Sequence, residues 1–133
     1  MNEIRTQLDL SLGDIQSRLL AMIDVVAERT EAVTEALLEG DVARADALIL
    51  GDDEIDLQSQ MVEDLCIEVL IREQPVATDL RAIVAAMHMN TDIERSGDLT
   101  TNIAKAIGRL QGAHPDDRVR DLILRMSAQA VPA

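Results

Sequence analysis

The chain has 133 residues, 47% of them apolar and 28% charged, and 25 acids against 12 bases give a formal charge of −13. It contains no Phe, Tyr or Trp. This apolar fraction is ample for a core, so disorder driven by low hydrophobicity is excluded. A core without aromatics is built from Leu, Ile, Val, Ala and Met, which disfavours a β-sandwich and favours helices. The acidic charge repels phosphate backbones, and without aromatic platforms for bases no direct nucleic-acid binding is expected. The lone Cys66 has no internal disulfide partner, and the start, Met1-Asn2-Glu3-Ile4-Arg5, lacks the regions of a signal peptide. A cytoplasmic location is the expectation. The longest apolar run, Ala82 to Met87, is far short of the roughly 20 residues that cross a bilayer, so no membrane insertion is expected.

Helix breakers divide the chain into long pieces. Ile4, Leu8, Ile15, Leu19, Met22, Val26, Val33 and Leu37 recur at helical spacing and predict a first helix ending near residue 39. Gly40 reads as the glycine just past its end, and Asp41 as the cap of the next helix. A second stripe, Val42, Ala45, Leu48, Ile49, Ile55, Val62, Leu65, Cys66 and Val69, predicts one helix from Asp41 to about Arg72. Glu73-Gln74 reads as a tight turn, with Pro75 in the first turn of a third helix that ends between Gly108 and Gly112. Three helices of about 30 residues joined by short connections predict an all-α fold, an elongated antiparallel three-helix bundle. After His114-Pro115 comes a short fourth helix, whose Val119, Ile123, Met126 and Ala130 copy the spacing of Ile15, Leu19, Met22 and Val26. Residues 1–112 read as one bundle, and 113–133 as a linker and either the start of a second repeat or an amphipathic helix that matches the spacing without being one.

The third helix turns polar at Thr91, Glu94, Asp98, Thr101 or Asn102, and Lys105. Glu94 and Asp98 are four apart and share a face, as do Asp52 and Asp56. With Pro75 at the centre of an antiparallel hairpin, the two pairs lie level. Four carboxylates about 6 Å apart would repel by roughly 3 kcal/mol per pair at an effective dielectric near 20. Wider spacing, protonation, neighbouring arginines or a bound cation would relieve this, and an all-oxygen set selects hard cations. The same residues also read as a solvated acidic face. His88, His114 and Cys66 stand apart from these acids, and neither a nucleophile elbow nor a Gly-rich phosphate loop is present.

Gln74-Pro75-Val76-Ala77-Thr78-Asp79-Leu80-Arg81, then Asp92-Ile93-Glu94-Arg95-Ser96-Gly97-Asp98 and Asn102-Ile103-Ala104, resemble the PhoU family of phosphate-uptake regulators. Leu37-Leu38-Glu39-Gly40-Asp41 and Asp52-Asp53-Glu54-Ile55-Asp56 fit the same family in order and spacing. The resemblance implies two consecutive three-helix bundles, of which this chain holds one and the opening of another. It implies metal clusters on Glu/Asp-xxx-Asp motifs, here Asp52, Asp56, Glu94 and Asp98, with Fe, Mn, Mg or Zn as the ion. It also implies a dimeric, non-enzymatic negative regulator of the phosphate starvation response, whose partners are the phosphate-specific ABC transporter and a sensor histidine kinase. A carboxylate-bridged metalloenzyme and a purely structural oligomerisation module are the alternatives.

Overall fold

The computed structural model describes residues 2–131, apart from the side chains of Asn2 and Ile4, so Ile4's expected core position lies outside the described residues. Five helices follow one another: α1 (Asn2–Glu39), α2 (Val42–Leu50), α3 (Asp53–Glu73), α4 (Ala77–Arg109) and α5 (Asp117–Ala130). No strand occurs among the described residues, and the all-α expectation holds.

The end of α1 is built as its residues predict. Gly40 takes φ +66°, Asp41 N–H donates to the Ala36 carbonyl at 2.9 Å, and Gly40 N–H donates to that of Leu37 at 3.4 Å. This is the paired closure of a left-handed glycine terminus, and it satisfies carbonyls the helix leaves open. Asp41 then caps α2, its carboxylate accepting from Arg44 N–H at 3.0 Å.

Two boundaries differ from expectation. The single helix expected over 41–72 is two helices: Gly51 closes α2 by donating to the Ala47 carbonyl at 3.1 Å, and Asp52 donates to that of Ile49 at 3.3 Å. Glycine is a poor helix former, and here two successive N–H groups turn back on the helix behind them. Pro75 precedes α4 instead of lying in its first turn, and Glu73 is the last residue of α3. Gln74 before it takes φ +44°, a left-handed backbone that ends the helix.

The chain forms two units. The first comprises residues 1–24 and 55–95, so it contains the N-terminal part of α1, nearly all of α3 and the N-terminal part of α4. Its core is Leu8, Ile15, Leu19, Met22, Ile55, Val62, Cys66, Val69, Ile83 and Ala86. Arg5 at the start of α1 pairs with Asp79 in the first turn of α4 at 2.6 Å, giving Asp79 a structural role. The second unit comprises residues 25–54 and 96–133. Val33, Ala36, Ala45, Ala104 and Ile107 form its core, with Leu37, Leu48 and Ile49 packed around them. α5 begins at an Asp116 cap and contributes no buried residue. The boundary expected at 112 falls inside this second unit.

Candidate functional site

Where the apolar stripes skip a turn, polar residues occupy the buried positions. Val26 and Val33 are seven apart, and between them Arg29 is 8% exposed. Ile55 and Val62 are likewise seven apart, with buried Ser59 between them. On α4 the buried positions between Ala86 and Ala104 include Asn90, Thr100 and Thr101. Gaps in the stripes on partnered helices are the sequence signal for these residues, of which only Thr101 was among the expected seam positions.

In the second unit the Arg29 guanidinium donates to the Leu48 carbonyl at 2.8 Å and to the hydroxyls of Thr101 at 3.0 Å and Thr100 at 3.3 Å. Thr101 in turn donates to Asp52 Oδ1 at 2.7 Å. One hydroxyl thus links a buried cation to a half-buried anion, each meeting a neutral group between them. The Thr100 hydroxyl itself donates a hydrogen bond to the Gly97 carbonyl at 2.7 Å. A side chain at position 51 would come within 3.3 Å of Arg29 Nη1, so Gly51 both ends α2 and leaves room for the guanidinium.

In the first unit Ser59 Oγ donates to Glu94 Oε2 at 3.0 Å, and Asn90 Nδ2 donates to the Ser59 carbonyl at 3.0 Å. These side chains, with Glu63, Met87 and Thr91, line a pocket of about 120 Å³. Further along α3, Cys66 is a buried free thiol. Burial, and then the charge of Glu63, push its pKa up. His88 and His114 are exposed.

Of the four expected metal ligands, Asp56 and Glu94 belong to the first unit and Asp52 and Asp98 to the second. Asp52 and Glu94 are half-buried, while Asp56 and Asp98 are exposed. The level pairing expected about Pro75 sets Glu94 opposite Asp56, and Asp98 opposite Asp52. Instead Glu94 meets Ser59 and Asp52 meets Thr101, both pairs being centred between Val76 and Ala77. That three-residue difference presents a hydroxyl to each of these two acids. Among the described residues no three His, Cys, Asp or Glu side chains gather as metal ligands. The donor type suits a hard cation.

The family model for the PhoU domain matches residues 19–107, which include the break at Gly51, the turn at Pro75 and both polar clusters. Among curated proteins, the phosphate-specific transport system accessory protein PhoU homolog of Clostridium acetobutylicum is 37% identical over 112 residues, covering 84% of this chain and 51% of the relative. PhoU homolog 2 of Mycobacterium tuberculosis is 34% identical over 111 residues, covering 84% and 52%. The Pseudomonas putida homolog is 29% identical, covering 92% and 52%. The chain therefore spans about half the length of the curated relatives it matches. With the matched segment running through both units and every helix from α1 to α4, the chain belongs to the PhoU family.

Proposed function

We propose that this chain serves phosphate transport as an accessory regulator that acts by protein contact and not by catalysis. The observation that carries this reading is the family match across residues 19–107, together with relatives named as accessory proteins of phosphate-specific transport systems. In this reading the chain works in the cytoplasm as a homodimer, contacts the phosphate-specific ABC transporter and a sensor histidine kinase, and restrains the phosphate starvation response. No helix among the described residues is long and apolar enough to cross a membrane, so engagement of membrane partners would be through exposed helix faces. One such face, in the first unit, is an apolar groove of about 350 Å³ between α1 and α4, flanked by the half-exposed Leu20, Ile23 and Met89.

Hard metal ions on Asp52, Asp56, Glu94 and Asp98 belong to the same proposal. Asp52 and Glu94 each accept a hydroxyl hydrogen on one carboxylate oxygen, and a carboxylate carries a second oxygen with which to meet an ion. A strain lacking the gene, carrying a phosphate-starvation reporter and complemented with this chain, tests the regulatory role. Repression restored in high phosphate is expected. A reporter that stays induced while the chain is present and folded sinks it. Elemental analysis of chelator-free protein, compared with an Asp52→Asn, Glu94→Gln, Asp98→Asn variant, tests the metal; equal content in both removes these ligands from the reading.

A further inference from the structure

The turn that leads from α4 to α5 runs against the preference of its own residues. Ala113 N–H donates to the Leu110 carbonyl at 3.1 Å, and the two residues between them, Gln111 and Gly112, stand at φ +53° and +84°. Two successive positive φ values are the type I′ pattern, which favours Asn, Asp or Gly at its first central position. Glutamine there is disfavoured by roughly tenfold, the penalty of left-handed geometry in an L-residue. The helix that this turn delivers is lightly held. α5 buries no residue, Met126 is 71% exposed, and Ile123, Met126 and Ser127 border Thr34, Leu37 and Ile103 across a groove of about 270 Å³. α5 also carries three arginines against two acids in a chain of charge −13, so the acidic surface of any copy attracts it.

We propose that α5 exchanges between two copies of this chain, each copy's α5 seating in the other's groove between α1 and α4. The occupant is the sequence already seated there, so a second copy's α5 makes the same contacts, and only the turn differs. Opening the turn releases Gln111 from left-handed geometry in both copies, and short connections under strain favour such an exchange. Without strain, the exchange would be governed by the effective concentration of the tethered helix, about 1 mM. Relief of roughly tenfold in each copy brings the dissociation constant to the order of 10 µM. The groove, the turn and α5 all lie in the second unit. The exchange is a route to the homodimer of the proposed function and rests on that part of the reading.

The test is the mass of the full chain by sedimentation equilibrium at up to about 1 mM protein, in salt that screens the like charge of two copies. A dimer is expected. Gln111→Gly, which suits the turn, is expected to weaken it by about tenfold or more, and Gly112→Ala, which strains the turn further, to strengthen it by a similar factor. Thr34→Cys and Ser127→Cys single variants, refolded together and oxidised, are expected to form a disulfide between chains, since both positions border the groove and Cys66 is buried. Monomers in parent and both turn variants overturn the exchange. A dimer indifferent to both turn substitutions also overturns it, and leaves the homodimer standing through another face. So does a Thr34→Cys, Ser127→Cys double variant that closes within its own chain while the mixed single variants stay unlinked. The regulatory reading keeps its own reporter test in each case.

Discussion

Single residues control this fold where the backbone leaves ordinary helix geometry or where a charge is buried. Gly40 is of the first kind: its φ is +66°, and a Cβ there would run into the backbone oxygen of Gly112. Left-handed geometry costs an L-residue roughly 1–2 kcal/mol, and the collision adds to it because backbone yields less than a side-chain tip. Gly40→Ala is therefore expected to destabilise the chain by about 2 kcal/mol or more, read as a lower urea midpoint at unchanged slope. Thr101 is a second such residue. Thr101→Val keeps the shape but takes away the hydroxyl that accepts from Arg29 and donates to Asp52. A buried charge that loses a partner makes such a loss expensive, and about 1–3 kcal/mol is expected by chemical denaturation. Thr101→Ser, which retains the hydroxyl, should recover the larger part. A serine variant no more stable than the valine variant would show that the link between Arg29 and Asp52 contributes nothing.

Helices differ in how firmly they belong to the structure. α1 and α4 carry buried residues in both units, whereas α5 has none; its Ile123, Met126 and Ala130 border a groove of about 270 Å³ with Thr34, Leu37 and Ile103. Arg120 donates to the Leu38 carbonyl at 3.5 Å. Truncation after Gly112 is accordingly expected to lower the melting temperature by only a few degrees, since about 1 kcal/mol corresponds to roughly 4–8 °C in a domain near 100 residues. Met22→Ala, at a fully buried position, makes a useful comparison and should cost about 2–5 kcal/mol. If truncation proves the more damaging of the two, α5 carries stability that its exposure conceals.

For the molecule as a whole, the charge of −13 sets the conditions under which the fold is strongest. Exposed ion pairs such as Arg18 with Asp14 and Arg72 with Glu68 contribute little, so salt loses little by weakening them. Screening the excess of acids gains more, because self-repulsion of a highly charged chain opposes the compact state. Raising NaCl from 20 to 500 mM is expected to raise the melting temperature. A fall would mean that the pairs outweigh the net charge.

The sequence by itself determined the helical class, the C-terminal ends of α1 and α4, the Gly40-Asp41 junction and most of the aliphatic core. These rest on short-range rules: apolar periodicity of 3.6, glycine at a left-handed terminus, and an acid accepting the first free N–H groups. Its motifs also carried the family. Tertiary structure alone decided which oxygen faces which acid. The difference between a carboxylate opposite Glu94 and the Ser59 hydroxyl that lies there is a three-residue displacement, less than one helical turn. Apolar stripes tolerate that displacement because they are several residues wide, whereas a hydrogen bond does not. Arg29 was hidden for a related reason: burying a guanidinium requires acceptors from Leu48, Thr100 and Thr101 together, and those residues meet only when the chain has folded.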